Sequence, residues 1–357
     1  MARINPEFTD ELKKYGAFDA NACYNCGNCT AVCTLSDEEN SFPRKMVRYS
    51  VLGLENEITA SLDPWLCYYC GECSTTCPRQ ANPGELMMSL RRWLIARYDW
   101  TGLSGRLYQS WAASASAFVF LALAVVWFGA SQHFQLQPLM HYGHLFEFTA
   151  ITLVALVILL PNIVRMGWFT LYKTGIKPPA SAWFKAIGEL IVHMFTQKRT
   201  LGCDDNQVRW FEHFILVLAY LSLLFTTVFL GWFDTQNLLI IILGYVESAI
   251  IFVVTFDFVR RRIVKDKEIS KHSHPSDWLF VIWLFLMGLT AFLVRLFIDL
   301  DLLHKMVWLY MVQLIVLVQW ALIIVPFGKW THFLYRSFAM YYHKIEEMTG
   351  ETRDLPA

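Results

Sequence analysis

Charged side chains are scarce in this chain, and long apolar stretches take their place. Only 17% of the 357 residues are Asp, Glu, Lys or Arg, and the two signs cancel at 30 each. With no net charge there is no bulk field to attract nucleic acid. A mean hydropathy of +0.37 is too high for an ordinary soluble domain. The opening residues, Met1 to Glu7, lack the apolar core of a signal peptide, so no export is expected. No G-x-G-x-x-G follows a strand-like run and no P-loop occurs, which leaves no flavin or nucleotide site of the chain's own. Signals for β-structure are sparse as well. Outside two tight runs there is one cysteine, Cys203, an isolated thiol with no expected role.

The other eight cysteines fall into two copies of one pattern, Cys23-x2-Cys26-x2-Cys29-x3-Cys33 and Cys67-x2-Cys70-x2-Cys73-x3-Cys77. Two such runs are the ligand signature of a pair of [4Fe–4S] clusters, in which three thiolates of one run hold a cube and the fourth reaches the other. The expected sets are Cys23, Cys26, Cys29 and Cys77 for the first cluster, and Cys67, Cys70, Cys73 and Cys33 for the second. Pro78 follows the second run, whereas Thr34 follows the first. Disulfides need an oxidising compartment, and zinc favours separated pairs of ligands over four thiols in eleven residues.

From Trp111 onward come apolar runs long enough to cross a bilayer as helices. Six spans are expected, at about 112–131, 145–167, 209–232, 237–259, 277–298 and 303–326. The connection between the second and third carries Arg165, Lys173, Lys177, Lys185, Lys198, Arg199 and Arg209, and that between the fourth and fifth carries six basic residues from Arg260 to Lys271. The opposite loops, 132–143, 233–236 and 299–302, contain no Lys or Arg. Basic loops stay cytoplasmic, so both termini and the cysteine region are expected on the cytoplasmic side of the inner membrane. The fold class read from the sequence is all-α: a cytoplasmic α-helical ferredoxin domain (1–107), then a six-helix transmembrane cytochrome b bundle (108–345), then a tail (346–357). Helices are expected over 42–58 and 84–98, a hinge at 100–110, and an amphipathic connector over 183–195 lying at the membrane interface or packed on protein.

Ionisable groups at membrane depth are costly, so each is a functional candidate. His213 near the start of the third span and His332 after the sixth form an inner pair. His304 with His144, or with His141, forms an outer pair. Two neutral imidazoles at equal depth on facing helices are what a b-type haem needs; hydrogen-bonded core histidines are the competing reading. The outer pair is a candidate for a second b haem or for a quinone. Twenty-eight residues separate His304 from His332, about 42 Å of continuous helix, so the inner site is favoured. Glu247, near the middle of the fourth span, is a candidate for a quinone or proton site, or for a hydrogen bond between helices. Arg295 is expected to meet a haem propionate or to reach the interface. His133, His272, His274 and His343 read as solvated, and His193 lies in the connector.

The two cysteine runs resemble the C subunit of heterodisulfide reductases. The membrane half resembles the E subunit of those enzymes and the gamma subunit of respiratory nitrate reductase, most sharply at Pro326-Phe327-x4-His332. That resemblance implies that His332 and His213 ligate a b haem. The second bis-histidine haem of that family falls here on Leu223 and Leu314, so it is not carried over in its usual place. Both modules in one chain resemble the C subunit of the quinone-interacting membrane-bound oxidoreductase complex of sulfate reducers and sulfur oxidisers, over nearly the whole length. The resemblance implies electron transfer between menaquinone and cytoplasmic flavin subunits similar to the A subunit of heterodisulfide reductase, with adenylylsulfate reductase as the eventual partner. A fused heterodisulfide reductase membrane protein using methanophenazine or another quinone is the alternative. A transporter or sensor regulated by iron–sulfur clusters is disfavoured, because the spans show no inverted repeat or paired broken helices.

Overall fold

A computed structural model describes residues 4–198, 201, 207–229, 236–265 and 271–350. Cys203, Arg199, Lys267, residues 230–232 of the expected third span, positions 233–235 of the outer loop and 351–357 of the tail lie outside them. Among the described residues the chain is all-α, with no strand. Six helices are long and apolar enough to cross a membrane: Trp111–Ser131, Leu136–Thr174, Gln207–Val228, Leu238–Val264, Pro275–Asp299 and Val307–Thr349. Apolar side chains cover their outer faces, Trp127 and Leu239 each 74% exposed, as lipid contact requires and water does not tolerate.

The sixth helix is the axis of the bundle. Half of its apolar window is buried, against 17% for the third, and it packs on the first, second and fifth. Polar side chains tie these contacts: Gln319 Nε2 donates to the Phe118 carbonyl at 2.8 Å, and Trp283 Nε1 donates to Gln319 Oε1 at 2.9 Å. The fourth and fifth helices cross closely at Gly288, where a Cβ would stand 2.7 Å from the Phe252 nitrogen. Small residues of this kind let membrane helices approach.

Several helix ends differ from the sequence expectation. The second span starts at Leu136, so His141 and His144 sit one to two turns inside it instead of opening it. It also contains a π-helical stretch, Val154–Leu159. His304 lies on a short 3-10 turn, Leu303–Lys305, ahead of the sixth helix, which begins at Val307. That helix does not end at Pro326. It passes through a π segment, Trp320–Ile324, breaks at Gly328, and resumes as Thr331–Thr349. Helix 42–58 is divided into Arg44–Val51 and Glu55–Ala60 by Gly53, whose φ of +68° no helix accommodates and whose missing Cβ makes room for the Asn5 carbonyl. The connector splits into Ala180–Lys185 and Ile187–Thr196.

The cysteine region and the bundle share one core. Phe8, Leu12, Trp65, Leu90 and Tyr98 pack in the same cluster as Ile163 and Met166 of the second span and Tyr335 and Met340 of the resumed sixth helix. The expected hinge is instead occupied by a helix, Leu103–Gln109. Around it Trp100 N donates to Asn162 Oδ1 at 3.0 Å and Gln109 Nε2 to the Tyr15 hydroxyl at 2.9 Å.

Candidate redox site

The two cysteine runs fold alike. After the second cysteine of each run stands a glycine in the left-handed region, Gly27 at φ +96° and Gly71 at φ +94°, and each opens a four-residue helix, Asn28–Ala31 or Glu72–Thr75. Asn25 and Tyr69, one residue before that cysteine, have φ of 59° and 58°. The fourth cysteines close identical turns: Cys33 N to Thr30 O and Cys77 N to Ser74 O, both 3.3 Å, then Ser36 N to Cys33 O and Gln80 N to Cys77 O, both 3.1 Å. Thr34 and Pro78 therefore occupy the same turn position, and the missing proline changes nothing in the run. The two short helices pack on one another.

Backbone amides point at the sulfurs. Asn25 N donates to Cys23 Sγ at 3.2 Å, Tyr69 N to Cys67 Sγ at 3.4 Å and Ala81 N to Cys77 Sγ at 3.4 Å, the kind of donor that stabilises cluster thiolates. Burial pushes the Cys33 thiol up to about 11 against a backbone hydrogen bond at Leu35 that lowers it, and among the other cysteines Cys67 and Cys70 act on it ahead of Cys29. Cys73 is raised by burial and by Cys67, Cys70 and Cys33 in turn. The fourth cysteine of the first run and the first three of the second thus lie within electrostatic reach of one another. Among the described residues no three His, Cys, Asp or Glu side chains converge as one ion would require; a cube gives each thiolate its own iron and needs no such convergence.

The two ends of this pair differ in exposure. Cys26 is exposed and Cys67 is buried. Around the buried end Arg91 Nη2 donates to the Cys67 carbonyl at 2.6 Å and its Nε to the Pro64 carbonyl at 2.7 Å. Arg209, at the start of the third span, reaches the Tyr69 carbonyl at 3.2 Å. Cationic side chains there offset the negative charge that four thiolates bring indoors.

Next to this end lies a cavity of about 250 Å³ lined by Tyr68 and Tyr69, by Arg91 and Arg209, and by His213 and His332. The inner histidines expected from the sequence therefore face one space, which also touches the second cysteine run. His332 Nδ1 is hydrogen-bonded to the Lys329 carbonyl; a carbonyl only accepts, so Nδ1 carries the proton and Nε2 keeps its lone pair. The same carbonyl accepts from the His332 backbone amide at 3.1 Å, in the turn that follows the Gly328 break and opens the resumed helix. His213 Nδ1 is buried without a partner among the described residues. Two imidazoles on one cavity, one with its tautomer fixed, are a donor set of the kind that would hold a b haem.

Nothing in the pattern of the sequence announced the charged network beneath this cavity. Arg92 Nη2 donates to Asp277 Oδ2 at 2.6 Å and Nη1 to Glu85 Oε1 at 3.0 Å. Lys329 Nζ pairs with Asp277 Oδ1 at 2.8 Å, and the Tyr69 hydroxyl donates to Glu85 Oε2 at 3.1 Å. Arg92, Glu85 and Asp277 are all buried. The chain from Tyr69 through Glu85, Arg92 and Asp277 to Lys329 runs from the second cysteine run to the residue whose carbonyl orients His332. The available signal was Asp277 and Lys329 themselves, charges at the ends of apolar spans. His272 also lines the cavity, and His274 caps the fifth helix in a reciprocal box with Asp277, so neither is the solvated histidine expected.

The remaining candidates lie elsewhere. His144 is 4.0 Å from Glu147. His304, half-exposed, is 3.7 Å from Asp301. Neither lines the cavity of the inner pair. Glu247 is 3% exposed inside the fourth span and faces Ser222 of the third. Arg295 pairs with Asp299 one turn on, its Nε at 3.1 Å from Oδ2.

Comparison with known proteins fits this geometry. Residues 19–81 match the family model of the 4Fe-4S dicluster domain. A protein of Archaeoglobus profundus described as similar to the C subunit of heterodisulfide reductase is 32% identical over 88 residues, which cover 24% of this chain and 47% of that protein. The chain thus spans about half the length of that relative. No solved structure matches the chain. The protein is a multi-pass helical membrane protein with a 4Fe-4S dicluster domain at its N-terminal end.

Proposed function

We propose that the chain anchors a quinone-linked oxidoreductase in the cytoplasmic membrane and relays electrons between the menaquinone pool and cytoplasmic flavin subunits similar to the A subunit of heterodisulfide reductase, serving adenylylsulfate reductase in dissimilatory sulfur metabolism. The observation that carries this reading is the cavity that His213 and His332 share with Tyr68 and Tyr69 of the second cysteine run. His213 and His332 would hold a b haem there. Cys67, Cys70, Cys73 and Cys33 would hold the nearer cube, and Cys23, Cys26, Cys29 and Cys77 the outer one. Haem and cubes are one-electron carriers, which is the chemistry a quinol-linked relay needs.

The protein's own residues do the positioning. The Lys329 carbonyl holds the His332 tautomer, and the Asp277 pair holds Lys329. Arg91 and Arg209 brace the backbone around Cys67 and Tyr69. Exposed Cys26 puts the outer cube where a flavin partner can approach. The Lys and Arg bias of the loops favours a cysteine domain in the cytoplasm, where thiols stay reduced. The test is His213→Ala and His332→Ala, each in the full chain. Each should abolish the reducible b-type absorbance while iron–sulfur content stays at the wild-type value. Full haem content in either variant would overturn the assignment. Haem counted in His144→Ala and His304→Ala tells whether the outer pair adds a second.

A further inference from the structure

A second cavity, of about 210 Å³, lies between the Leu103–Gln109 helix and the first, fifth and sixth spans, at the end of the bundle that carries the cysteine domain. Its lining is polar where the helices begin, at Lys14, Gln109 and Ser276, and apolar one to two turns further in, at Phe118, Leu279 and Ile323. No Asp or Glu is among the described residues that line it. Lys329 is committed to Asp277 at 2.8 Å. Lys13 pairs with Asp10, whereas Lys14 is exposed and makes no ion pair among the described residues. His274 accepts the Ser276 amide at Nδ1, at 3.3 Å, so its Nε2 carries the proton and donates to the Lys14 carbonyl at 3.2 Å. That bond fixes the Lys14 backbone at the mouth of the cavity. Trp111, 64% exposed, stands on the rim, and tryptophan is enriched where a span meets the bilayer surface.

We propose that this cavity binds an anionic phospholipid, with its phosphate at Lys14 and one acyl chain running inward along Phe118, Leu279 and Ile323. A lining that is cationic at the mouth and apolar in its depth is the complement of such an amphiphile. A zwitterionic headgroup gains little from Lys14, whereas a net negative one gains the attraction that lysines beside a membrane supply. A free phosphate would leave the apolar depth unfilled, and covering that surface is where burial stabilises. Lys14 belongs to the cysteine domain and the walls belong to three spans. A bound lipid therefore touches both halves at once, and binding that needs both in place stabilises the folded chain. The inference needs the bundle and a bilayer, and it stands whether or not the electron-relay reading does.

The test is photolabelling of the purified full chain in phosphatidylcholine vesicles. These carry a trace of either phosphatidylglycerol or phosphatidylcholine with a diazirine on one acyl chain, and adducts are mapped by peptide mass. Adducts in 111–118, 275–280 and 323–327 should be denser than at Leu238 and Leu239, which are exposed at the other end of the bundle. Phosphatidylglycerol should be captured there about five-fold over phosphatidylcholine, the worth of one basic side chain at a membrane surface. Lys14→Glu should remove that preference. Leu279→Trp, which fills the apolar depth, should abolish the adducts in these segments. If that variant does not fold, Lys14→Glu, a change at an exposed side chain, still decides. Equal capture of the two lipids by the wild type, a preference unchanged in Lys14→Glu, or adducts no denser than at Leu238 and Leu239 would each overturn the inference. So would a preference erased by inorganic phosphate but not by chloride of equal ionic strength, because the site would then take a free anion and not a lipid.

Discussion

At the scale of the residue, hydrogen-bond geometry says more than residue type. Thr34 breaks the pattern that Pro78 keeps, yet both follow a cysteine whose amide and carbonyl bonds have the same partners and lengths. Thr34→Pro is therefore expected to leave iron and sulfide content unchanged and to shift the unfolding midpoint by no more than about 0.5 kcal/mol. Loss of iron in that variant, measured after purification, would show the two turns to be inequivalent. The two cysteine runs were legible from their spacing, because four thiols in eleven residues have few other uses, and depth singled out His213 and His332, which the fold brings to one cavity. The Lys329 carbonyl was not legible. Any residue has a carbonyl, and this one meets His332 in the turn that follows the Gly328 break.

At the scale of the element, the sixth helix does most to shape the site. Its rough place was readable from hydropathy, but its continuation past Pro326 was not, since Thr331–Thr349 mixes apolar with polar residues and packs on the Ile187–Thr196 connector, the second span and the cysteine domain. The helix Pro83–Tyr98 shows the same limit. Its apolar stripe at Leu86, Leu90, Trp93 and Leu94 was visible, whereas the burial of Glu85, Arg91 and Arg92 was not, because their partners are distant in sequence: Tyr69 for Glu85, the Pro64 and Cys67 carbonyls for Arg91, and the Tyr15 carbonyl and Asp277 for Arg92. Asp277→Asn tests that joint. It leaves Arg92 and Lys329 buried beside a neutral amide, so the fold should lose about 3–5 kcal/mol, read as an earlier midpoint in a denaturant titration of the solubilised protein. The b-type absorbance should become heterogeneous as Lys329 loosens its hold on the His332 carbonyl contact. A midpoint equal to wild type would mean that the network contributes nothing to the joint.

At the scale of the whole molecule, the proposed relay is a short conducting line in one body: a thiol set that includes exposed Cys26, one that includes buried Cys67, and a histidine pair in the cavity beside it. The shared core of Trp65, Tyr98, Ile163 and Tyr335 makes the two halves one unit, so the cavity between them keeps a fixed shape. No stretch of sequence displays that cavity, because its walls come from residues as distant as Tyr69 and Arg336. The most direct measurement is the absorption spectrum of the purified full chain, oxidised and then reduced, with iron and acid-labile sulfide determined on the same sample. An electron relay of this kind should show a sharp b-type Soret and α band on reduction, broad iron–sulfur absorption that bleaches, and about eight sulfides per chain for two cubes. A protein with no reducible haem band, or with about four sulfides, would contradict it.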